Sequence, residues 1–442
     1  MSAETLLVRT PAGGASLAAG SNDVRTLAAQ ASGNVNFRGA GNLAIGTAAA
    51  VGMGPGDVLQ AAAASGVNAA NAVVQATSGN LAVQAASAAT GGLTLQADAG
   101  NVSLGQSVQA STVALLAGGD ITQATAGTVT AAGLLARSSG GNVQLDAASN
   151  RTDTVAGGAA NGFAYTDVDA LRIGEVAASR QDADGNLASA TASGIAADAT
   201  VVQTLAGDLT LDATVTGRVA DLVAAERFQN PNSAAIATTE SWRVWANTWE
   251  GETRGGLSGS GPLPNLYNRG YGAAVGDGDN HFIYRQQPTV TITLDSASRP
   301  AGQENPPLGY TVSGLILGDT GAGISGAAGT SATATSPAGA YAVTAVTPFV
   351  SAEGYAINLV PGLLTVTSLD LPGIDVYREM PTTYLYDRNL APVAMCFATG
   401  PLAGDKAEQA GDLLAREWSR VKTRPHLSNC VATDKTNACA NF

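Results

Sequence analysis

Few residues in this sequence could serve as acids, bases or nucleophiles in catalysis. The two histidines, His281 and His426, lie far apart along the chain, and neither stands beside a serine or cysteine in the pattern of an activated nucleophile. His281 is followed by Phe282-Ile283-Tyr284, so we interpret it as a structural residue at the edge of a strand. The sequence therefore predicts no catalytic residue, no cofactor-binding residue and no enzymatic activity.

Closely spaced carboxylates, which could bind Ca²⁺, occur at Asp182-Ala183-Asp184 and at Asp277-Gly278-Asp279. Each pair lies among glycine and asparagine residues that favour a turn, and neither fits a twelve-residue or nonapeptide calcium motif. We interpret both as turn residues and predict no metal site. The segment Gly321-Ala322-Gly323-Ile324-Ser325-Gly326 satisfies the dinucleotide-binding pattern formally, but no helix or βαβ unit is predicted around it, so we interpret it as a flexible loop.

The three cysteines, Cys396, Cys430 and Cys439, all lie near the end of the chain. Cys430 and Cys439 enclose a polar stretch, and a disulfide between them would stabilise the closed loop by about 2–3 kcal/mol in the chain-entropy model. Free or metal-binding thiols are the alternative, although no histidine or second cysteine pair stands at zinc-finger spacing. We favour the disulfide because it suits an exported protein, and we expect Cys396 to stay unpaired.

Composition and charge limit the class of protein. The chain has 442 residues, of which 13% are charged, 5% are aromatic and 54 are glycine, which is poor in large side chains for an ordinary globular core. The net charge is −13 and no basic stripe occurs, so we expect no nucleic-acid partner. No stretch of about 18 apolar residues is present, and no transmembrane helix is predicted.

The N-terminal segment, from Met1 to Thr10, lacks a basic region followed by an apolar stretch. Because the chain begins in mid-repeat, we interpret it as the C-terminal part of a longer exported protein, with a cytosolic protein as the alternative. The cysteine positions favour export, since a disulfide formed early in the middle of a long chain would block its transit through a pore.

A short phrase recurs through the first half of the chain: Gly-Asn or Gly-Asp, then an apolar residue, a small or polar one, and another apolar one. Its copies begin at Gly33, Gly41, Gly79, Gly100, Gly141 and Gly207. Alternation with a period of two directs the apolar side chains to one face of a short strand. The preceding Gly-Asn pair is expected to supply a backbone that can adopt positive φ.

A single strand of this length cannot bury its apolar face, whereas stacked copies can, because each turn covers the next. The repeat therefore predicts a solenoid. With about 20 residues per turn and about 4.8 Å between stacked strands, the segment up to about residue 220 would form a rod roughly 50 Å long. The spacing is interrupted at 52–70, 150–167 and 181–197, where we expect looser inserts.

Changes of pattern divide the chain into four segments. They are a rod (1–225), an aromatic and glycine-rich connector and cap (226–287), a small antiparallel β domain (288–369) and a C-terminal anchor segment (370–442). Three of the four tryptophans, Trp242, Trp245 and Trp249, lie in the connector and are expected to close the open end of the rod. In the third segment, longer alternating stretches predict antiparallel strands.

One helix is predicted in the C-terminal segment, over residues 405–421. Asp405 and Glu408 form a capping pair at its start, and Pro425 limits its extension. Its apolar face, which we expect to dock on a neighbour, consists of Leu413, Leu414, Trp418 and Val421.

Several segments of the sequence resemble those of a known protein family. The repeats, including Gly141-Asn142-Val143-Gln144-Leu145, resemble the right-handed parallel β-helix of filamentous haemagglutinin-type exoproteins, which leave the cell by two-partner secretion. Gly309-Tyr310-Thr311-Val312-Ser313-Gly314-Leu315, followed by Gly339-Ala340-Tyr341 and Tyr355-Ala356-Ile357, is similar to the MBG repeat domain of such adhesins. The resemblance implies a mainly β fold: a right-handed parallel β-helix, a small MBG-like β domain, and a C-terminal helix with a cysteine loop.

The resemblance extends to the end of the chain. Some high-molecular-weight two-partner adhesins end in a disulfide-closed loop that holds the exoprotein in its transporter, and Cys430 and Cys439 match that arrangement. The implied partners are an outer-membrane β-barrel transporter and a host or neighbouring-cell receptor or glycan. The implied location is the bacterial cell surface, with the chain tethered at the outer membrane or secreted.

The sequence thus predicts a non-enzymatic adhesin-like surface protein with no cofactor. Two alternatives stay open. A β-helical polysaccharide-degrading enzyme would need carboxylates grouped on one exposed face. A carrier stalk for a contact-delivered toxin would need a C-terminal toxin domain, and the stretch after the MBG-like domain is short.

Overall fold

The computed structural model describes residues 1–53, 59–147, 150–368, 430–431 and 438–439, and within them the regular elements are β-strands. Side chains are described for these residues outside 50–61, 430–431 and 438–439. The first strands are β1 (Ser2–Thr10), β2 (Ala15–Leu17), β3 (Asp23–Ala31), β4 (Val35–Gly39), β5 (Leu43–Ile45), β6 (Thr47–Met53), β7 (Leu59–Ser65), β8 (Val67–Ala69), β9 (Ala72–Ala76), β10 (Leu81–Val83), β11 (Ser87–Ala89), β12 (Gly92–Ala97), β13 (Val102–Leu104), β14 (Val108–Gln109), β15 (Thr112–Ala117), β16 (Ile121–Gln123), β17 (Val129–Ser138), β18 (Val143–Leu145), β19 (Arg151–Gly158) and β20 (Gly162–Asp167). The others are β21 (Leu171–Ile173), β22 (Glu175–Gln181), β23 (Leu187–Ser193), β24 (Ile195–Ala196), β25 (Ala199–Thr204), β26 (Leu209–Leu211), β27 (Val215–Val223), β28 (Phe228–Gln229), β29 (Ile236–Ala246), β30 (Asn265–Leu266), β31 (His281–Tyr284), β32 (Thr289–Leu294), β33 (Ala297–Pro300), β34 (Tyr310–Ser313), β35 (Ile324–Thr330), β36 (Gly339–Ser351), β37 (Ala356–Val360), β38 (Gly362–Thr367), β39 (Cys430–Val431) and β40 (Ala438–Cys439).

Parallel pairing between successive turns confirms the solenoid. The rod contains one sheet of 27 strands, drawn from β1 to β31. Strands that are neighbours in this sheet pair in parallel, and the pairs form three ladders along the rod. Registers that represent the three ladders are Leu81↔Val102↔Ile121↔Val143, Asn68↔Ala88↔Gln109↔Thr130 and Leu93↔Val113↔Leu134↔Val155. Equivalent apolar side chains therefore stack on one another, and Leu81, Val102 and Ile121 are fully buried.

The Gly-Asn phrase marks the corner where one turn begins, and its asparagines tie the turns together. The side-chain oxygen of Asn80 accepts a hydrogen bond from the backbone N–H of Asn101 at 2.9 Å, and the Asn101 side chain accepts from Asp120 N–H at 2.7 Å. Asp120 in turn accepts from the N–H of Asn142 at 2.7 Å. Partners are 19 to 22 residues apart along the chain, which is the length of one turn.

The glycine of the phrase has a different role from the one predicted. Positive φ is confirmed at Gly207, whose φ is 72°, but the prediction is wrong for the other five copies, which are absent from the positive-φ residues. A Cβ on Gly100 would lie 2.3 Å from the carbonyl oxygen of Gly79, and a Cβ on Gly79 would lie 2.3 Å from the backbone nitrogen of Asn42. The glycines are therefore required by the close approach of neighbouring turns.

Two antiparallel hairpins are inserted between strands of the rod. The first pairs β6 with β7, and the second pairs β22 with β23. Val176 and Ala190 of the second hairpin pack on Ala114, Leu135 and Ala156, which stack on successive turns, and all five side chains are at most 5% exposed. The hairpin thus covers an outer face of the rod that would otherwise expose apolar side chains.

Aromatic residues pack together at the last turns of the rod. Trp242 and Trp245 of β29 are each 4% exposed, and Phe282 of β31 is fully buried. The rings of Trp242 and Phe282 meet edge to face, with centroids 5.2 Å apart. The guanidinium of Arg254 lies 4.0 Å from the centroid of the Phe282 ring. The parallel ladder itself continues to Tyr284.

Contacts divide the chain into two units, and residues after the rod contribute to both. The first unit contains Met1–Leu294, Tyr310–Ala328 and Ala345–Val360, and it includes a three-stranded sheet in which β32 pairs antiparallel with β34 and parallel with β37. In the second unit, β38 pairs parallel with β33 and antiparallel with the first residues of β36. The expected antiparallel pairings are present, and each sheet also has a parallel one.

The C-terminal strands β39 and β40 pair antiparallel, with Cys430 opposite Cys439. The predicted helix over 405–421 and its face of Leu413, Leu414, Trp418 and Val421 lie outside the described residues. Within the part of the chain that the structure describes, no helix is long and apolar enough to cross a membrane.

Candidate functional site

A groove of about 950 Å³ runs along the rod, across successive turns. It is built from three residues that occupy the same corner on each turn: an outward residue, then an alanine, then a small or polar residue; the first turn differs, with Thr10 and Pro11 in the second and third places. The copies that line it are Arg9-Thr10-Pro11, Gln30-Ala31-Ser32, Asn68-Ala69-Ala70, Ala88-Ala89-Thr90, Gln109-Ala110-Ser111 and Thr130-Ala131-Ala132. We call it the axial groove.

The parallel register aligns the first residues of these motifs into one wall of the axial groove. Arg9 pairs with Gln30, Gln30 with Asn68 and Asn68 with Ala88. The row continues through Gln109 to Thr130. Because adjacent strands of a sheet lie about 4.8 Å apart, this wall presents a side chain at that interval along the rod.

Alanines form the floor of the axial groove between its two walls. Ala69, Ala89, Ala110 and Ala131 are 7% to 9% exposed, so only a small part of each methyl group reaches the surface. A larger residue would fill the groove, whereas a methyl group lets each chain turn its corner and leaves a narrow trough. The trough therefore exists because the sequence repeats alanine at this place in the turn.

The walls of the axial groove carry amides and hydroxyl groups rather than charges. Arg9, at one end, is the single charged residue that lines it. Within the described part of the chain, the side chains of Gln30, Gln109 and Thr130 make no hydrogen bond to protein, while Asn68 donates to the carbonyl oxygen of Ser65 at 3.1 Å. Amides both donate and accept hydrogen bonds, so this surface is suited to a neutral, hydroxyl-rich ligand.

A second cluster of polar side chains lies near the last turn of the rod. The hydroxyl group of Tyr284 donates to the carboxylate of Glu252 at 2.8 Å, and Glu252 forms an ion pair with Arg254 at 2.6 Å. Burial raises the pKa of Glu252, while the charge of Arg254 opposes the rise. Burial also raises the pKa of Tyr284. This network fixes the Arg254 guanidinium over the aromatic cap.

Asp319, in the loop after β34, is the centre of a related network. Its carboxylate accepts hydrogen bonds from the hydroxyl groups of Tyr267 at 2.7 Å and Tyr355 at 2.5 Å, and from the amide of Asn265 at 2.7 Å. Burial is the main cause that raises the pKa of Tyr355 to about 12, and it raises the pKa of Tyr267 further. All donors are occupied, so we assign this network a structural role that joins the end of the rod to the sheet of β32.

His281 lies in β31 and is 1% exposed. Its Nδ1 atom is 2.9 Å from the carbonyl oxygen of Leu263, and its Nε2 atom is 2.6 Å from the carboxylate of Asp277. The hydrogen bond from His281 is the main cause that lowers the pKa of Asp277. Both ring nitrogens therefore face acceptors, one before β30 and one after it, which fits the predicted structural role.

The other carboxylates singled out by the sequence also lie in turns. Asp182 accepts hydrogen bonds from the backbone N–H groups of Asp184 at 2.9 Å and Asn186 at 2.8 Å, between the two strands of the hairpin. Asp279 accepts from the hydroxyl group of Ser260 at 3.0 Å. In the dinucleotide-like segment, Gly321 has a φ of 74° and a strand starts at Ile324.

Asp167 is a buried carboxylate that sequence reasoning also missed. Asp167 is fully buried, and its carboxylate accepts hydrogen bonds from the backbone N–H of Thr152 at 2.7 Å and from the hydroxyl group of Tyr165 at 2.8 Å. Burial raises the pKa of Asp167 despite these hydrogen bonds. Within the described residues no three His, Cys, Asp or Glu side chains are grouped as they would be around a metal ion.

Of the predicted anchor residues, the two cysteines lie within the described residues. Cys430 and Cys439 are opposite each other in a backbone ladder, and the disulfide between them stays a prediction. The four apolar residues of the predicted helix face lie outside the described residues, as does His426.

Comparison with known proteins identifies one part of the chain. The family described as MBG domain (YGX type) matches residues 290–365, from β32 into β38. This domain is found in large surface adhesin-like proteins, which are typically extracellular or surface-associated. No curated protein matches the chain, and no solved structure matches it either. The match confirms the MBG domain expected from the sequence.

Proposed function

We propose that this protein is a surface-displayed, non-enzymatic adhesin whose rod binds an extended neutral glycan chain in the axial groove. The observation that carries the proposal is the continuity of the groove across successive turns of the rod. A site that repeats along an axis suits a polymer that also repeats. The MBG domain supports display at a cell surface, because this domain belongs to large surface proteins of the adhesin type.

The chemistry of the walls favours sugar over peptide or nucleic acid as the ligand. The outward amides and hydroxyl groups of Gln30, Gln109 and Thr130 are unpaired with protein in the described part of the chain, and each can bond a sugar hydroxyl group. Arg9 alone adds charge, so a polyanion such as nucleic acid would find few counter-charges. The alanine floor is apolar, so the narrow trough can receive the C–H groups at one edge of a pyranose ring.

A pair of matched substitutions tests the groove. Ala88 and Ala82 are the middle residues of β11 and β10 on the same turn, with the same alternation of burial, but only Ala88 lines the axial groove. Ala88→Trp should block the trough, whereas Ala82→Trp should add the same surface on another face. Binding of the full chain to immobilised neutral polysaccharides of different linkage, measured by surface plasmon resonance, would separate the two.

We expect at least one polysaccharide to bind the unmodified chain and the Ala82→Trp variant equally, and to bind Ala88→Trp at least tenfold more weakly. Equal binding by the two variants would refute the groove as the binding site. Absence of binding to every polysaccharide tested would refute the choice of ligand.

For export and attachment we propose the two-partner secretion route, with an outer-membrane β-barrel transporter as the partner. The support is the resemblance of the repeat and of the C-terminal cysteine pair, together with the backbone pairing of Cys430 and Cys439. A closed loop is wider than an extended chain and would stop in the transporter. Cys430→Ser should then release the protein from cells into the medium, and unchanged surface retention would contradict the anchor.

A further inference from the structure

A second pocket, of about 240 Å³, lies near the last turns of the rod. Its lining includes Gln203, Trp245, Asn247, Arg269, Tyr271 and Arg285. Parallel pairing brings Gln203 and Trp245 to neighbouring positions, since Gln203 pairs with Val223, and Val223 with Trp245. We call it the Trp245 pocket; it is separate from the axial groove and shares no lining residue with it.

The Trp245 pocket concentrates positive charge in an acidic protein. The chain has a net charge of −13, yet two arginines and no Asp or Glu line this pocket. In the described part of the molecule, Arg269 and Arg285 form no ion pair, whereas Arg218, on an earlier turn, is held by Asp198 and Glu240. The nearby carboxylate of Asp221 accepts a hydrogen bond from Nε1 of Trp245 at 2.8 Å.

The two guanidinium groups differ in how they are held. Arg269 donates to the carbonyl oxygen of Ala352 at 3.0 Å and to that of Ala274 at 3.5 Å, so its position is fixed without neutralising its charge. Arg285 is exposed, and no hydrogen bond of its side chain is found within the described residues. A planar guanidinium group with available N–H groups matches a carboxylate, which can accept two hydrogen bonds from it at once.

An aromatic ring stands beside these charges. Tyr271 is 46% exposed, and its ring meets that of Trp245 edge to face with centroids 5.6 Å apart. This contact holds the Tyr271 ring in place and leaves part of it open to solvent. An aromatic face carries partial negative charge and attracts the C–H groups of a sugar ring. Asn247 and Gln203 supply amides that can bond hydroxyl groups.

From these three features we propose that the Trp245 pocket binds a pyranose that carries a carboxylate, at the end of or along a glycan. Arg285 contacts the carboxylate, Tyr271 stacks on the ring, and the amides bond the hydroxyl groups. The shared chemistry is a carboxylated sugar, which can be a uronic acid or a nonulosonic acid. The pocket volume admits one sugar residue rather than a long chain.

Titration calorimetry of the full chain with three glycosides tests the proposal: methyl glucuronide, methyl N-acetylneuraminide and, as the neutral control, methyl glucoside. We expect one or both carboxylated glycosides to bind, more weakly as salt increases, and the neutral one to bind at least tenfold more weakly. The identity of the tighter ligand distinguishes uronic from nonulosonic acids. Equal binding of the neutral glycoside, or no binding of either acid, would overturn the proposal.

Substitutions locate the site. Arg285→Gln should weaken binding of the carboxylated glycoside about tenfold to a hundredfold, because a charge-assisted hydrogen bond is lost. Arg285→Lys keeps the positive charge but not the planar guanidinium group, so it should weaken binding less than Arg285→Gln does. Arg180, on the hairpin strand β22, is an exposed arginine that also forms no ion pair in the described residues, so Arg180→Gln is the matched control. Equal losses in Arg285→Gln and Arg180→Gln would mean non-specific attraction and would overturn the site.

The axial groove supplies a further control. Ala88→Trp should leave binding of the carboxylated glycoside unchanged, because Ala88 lines a different surface. A loss in this variant would contradict the independence of the two sites. The outcome at the Trp245 pocket is therefore separable from the outcome at the axial groove.

Discussion

The contrasting glycines of the Gly-Asn phrase give a sharp test of how the turns pack. Gly100 and Gly41 occupy the same place in the phrase, and neither has positive φ. A Cβ on Gly100 would lie 2.3 Å from the oxygen and 2.6 Å from the carbon of the Gly79 carbonyl group, whereas a Cβ on Gly41 would meet no atom within 4 Å. The same substitution, Gly→Ala, should therefore have opposite effects at the two positions.

The expected change in the free energy of unfolding can be worked out for each substitution from the known effects of backbone restriction and overpacking. Alanine restricts the unfolded chain more than glycine does, which stabilises the folded state by about 0.4–1 kcal/mol where the conformation is compatible. At Gly41 this is the main effect, so Gly41→Ala should be neutral or slightly stabilising. At Gly100 the new methyl group overlaps rigid backbone, and overpacking costs about 1–3 kcal/mol. Gly100→Ala should therefore lower the free energy of unfolding by about 1–2 kcal/mol after the offset.

Urea denaturation followed by far-ultraviolet circular dichroism would compare the two variants with the unmodified chain. We expect a lower midpoint for Gly100→Ala and an unchanged or higher one for Gly41→Ala. If Gly100→Ala were as stable as Gly41→Ala, the close approach of neighbouring turns at this corner would be refuted.

Two further predictions concern the buried polar groups. Asp319→Ala should lower the free energy of unfolding by about 2–5 kcal/mol, since it leaves the donors of Tyr267 and Tyr355 without an acceptor, and a thermal melt within a degree of the unmodified chain would contradict this. Burial raises the pKa of Tyr165, Tyr267 and Tyr284 above 10, so the stability that depends on their protonated form is complete below pH 10 and is lost as the pH rises further. Absorbance at 295 nm should show these three of the ten tyrosines ionising only on alkaline unfolding, and ionisation of all ten near pH 10 in the folded state would refute it.

The rod could be predicted because its signal is local. Alternation in phrases such as Leu81-Ala82-Val83 places one apolar face toward the axis, and repetition supplies the stacking partner. The role of the glycines was predicted wrongly, because positive φ and close approach both favour glycine, and only neighbouring turns distinguish them. The Asp319 network was missed because its partners at Asn265 and Tyr267 are 54 and 52 residues away.

Two other features left signals that were not used. Strands such as Ala72–Ala76 and Gly92–Ala97 are apolar or buried at consecutive positions, which indicates a strand covered on both faces. That signal could have predicted a covering element, which is the hairpin of β22 and β23. The motif that lines the axial groove recurs at the spacing of one turn, as in Gln109-Ala110-Ser111, but it is too short and too varied to attract notice without the register.

The inserts in the rod could be predicted only in part from the sequence. Hairpins interrupt the rod within or beside 52–70 and 181–197, as expected. The third stretch, 150–167, contains β19 and β20, which are regular ladder strands. The predicted insert is therefore wrong here: the sequence pattern is broken by two buried polar residues, Tyr165 and Asp167, whose mutual hydrogen bond reduces the penalty for burying them.

The pairing register of the strands that form the axial groove can be tested directly. In a chain whose native cysteines are replaced by serine, Ala88→Cys with Gln109→Cys places two thiols on adjacent turns, about 4.8 Å apart, and Ala88→Cys with Thr130→Cys places them two turns apart. Dibromobimane, which fluoresces when it bridges neighbouring thiols, should label the first pair and not the second. Equal labelling of the two pairs, or labelling of neither, would contradict the stacked turns on which the groove and its proposed ligand depend.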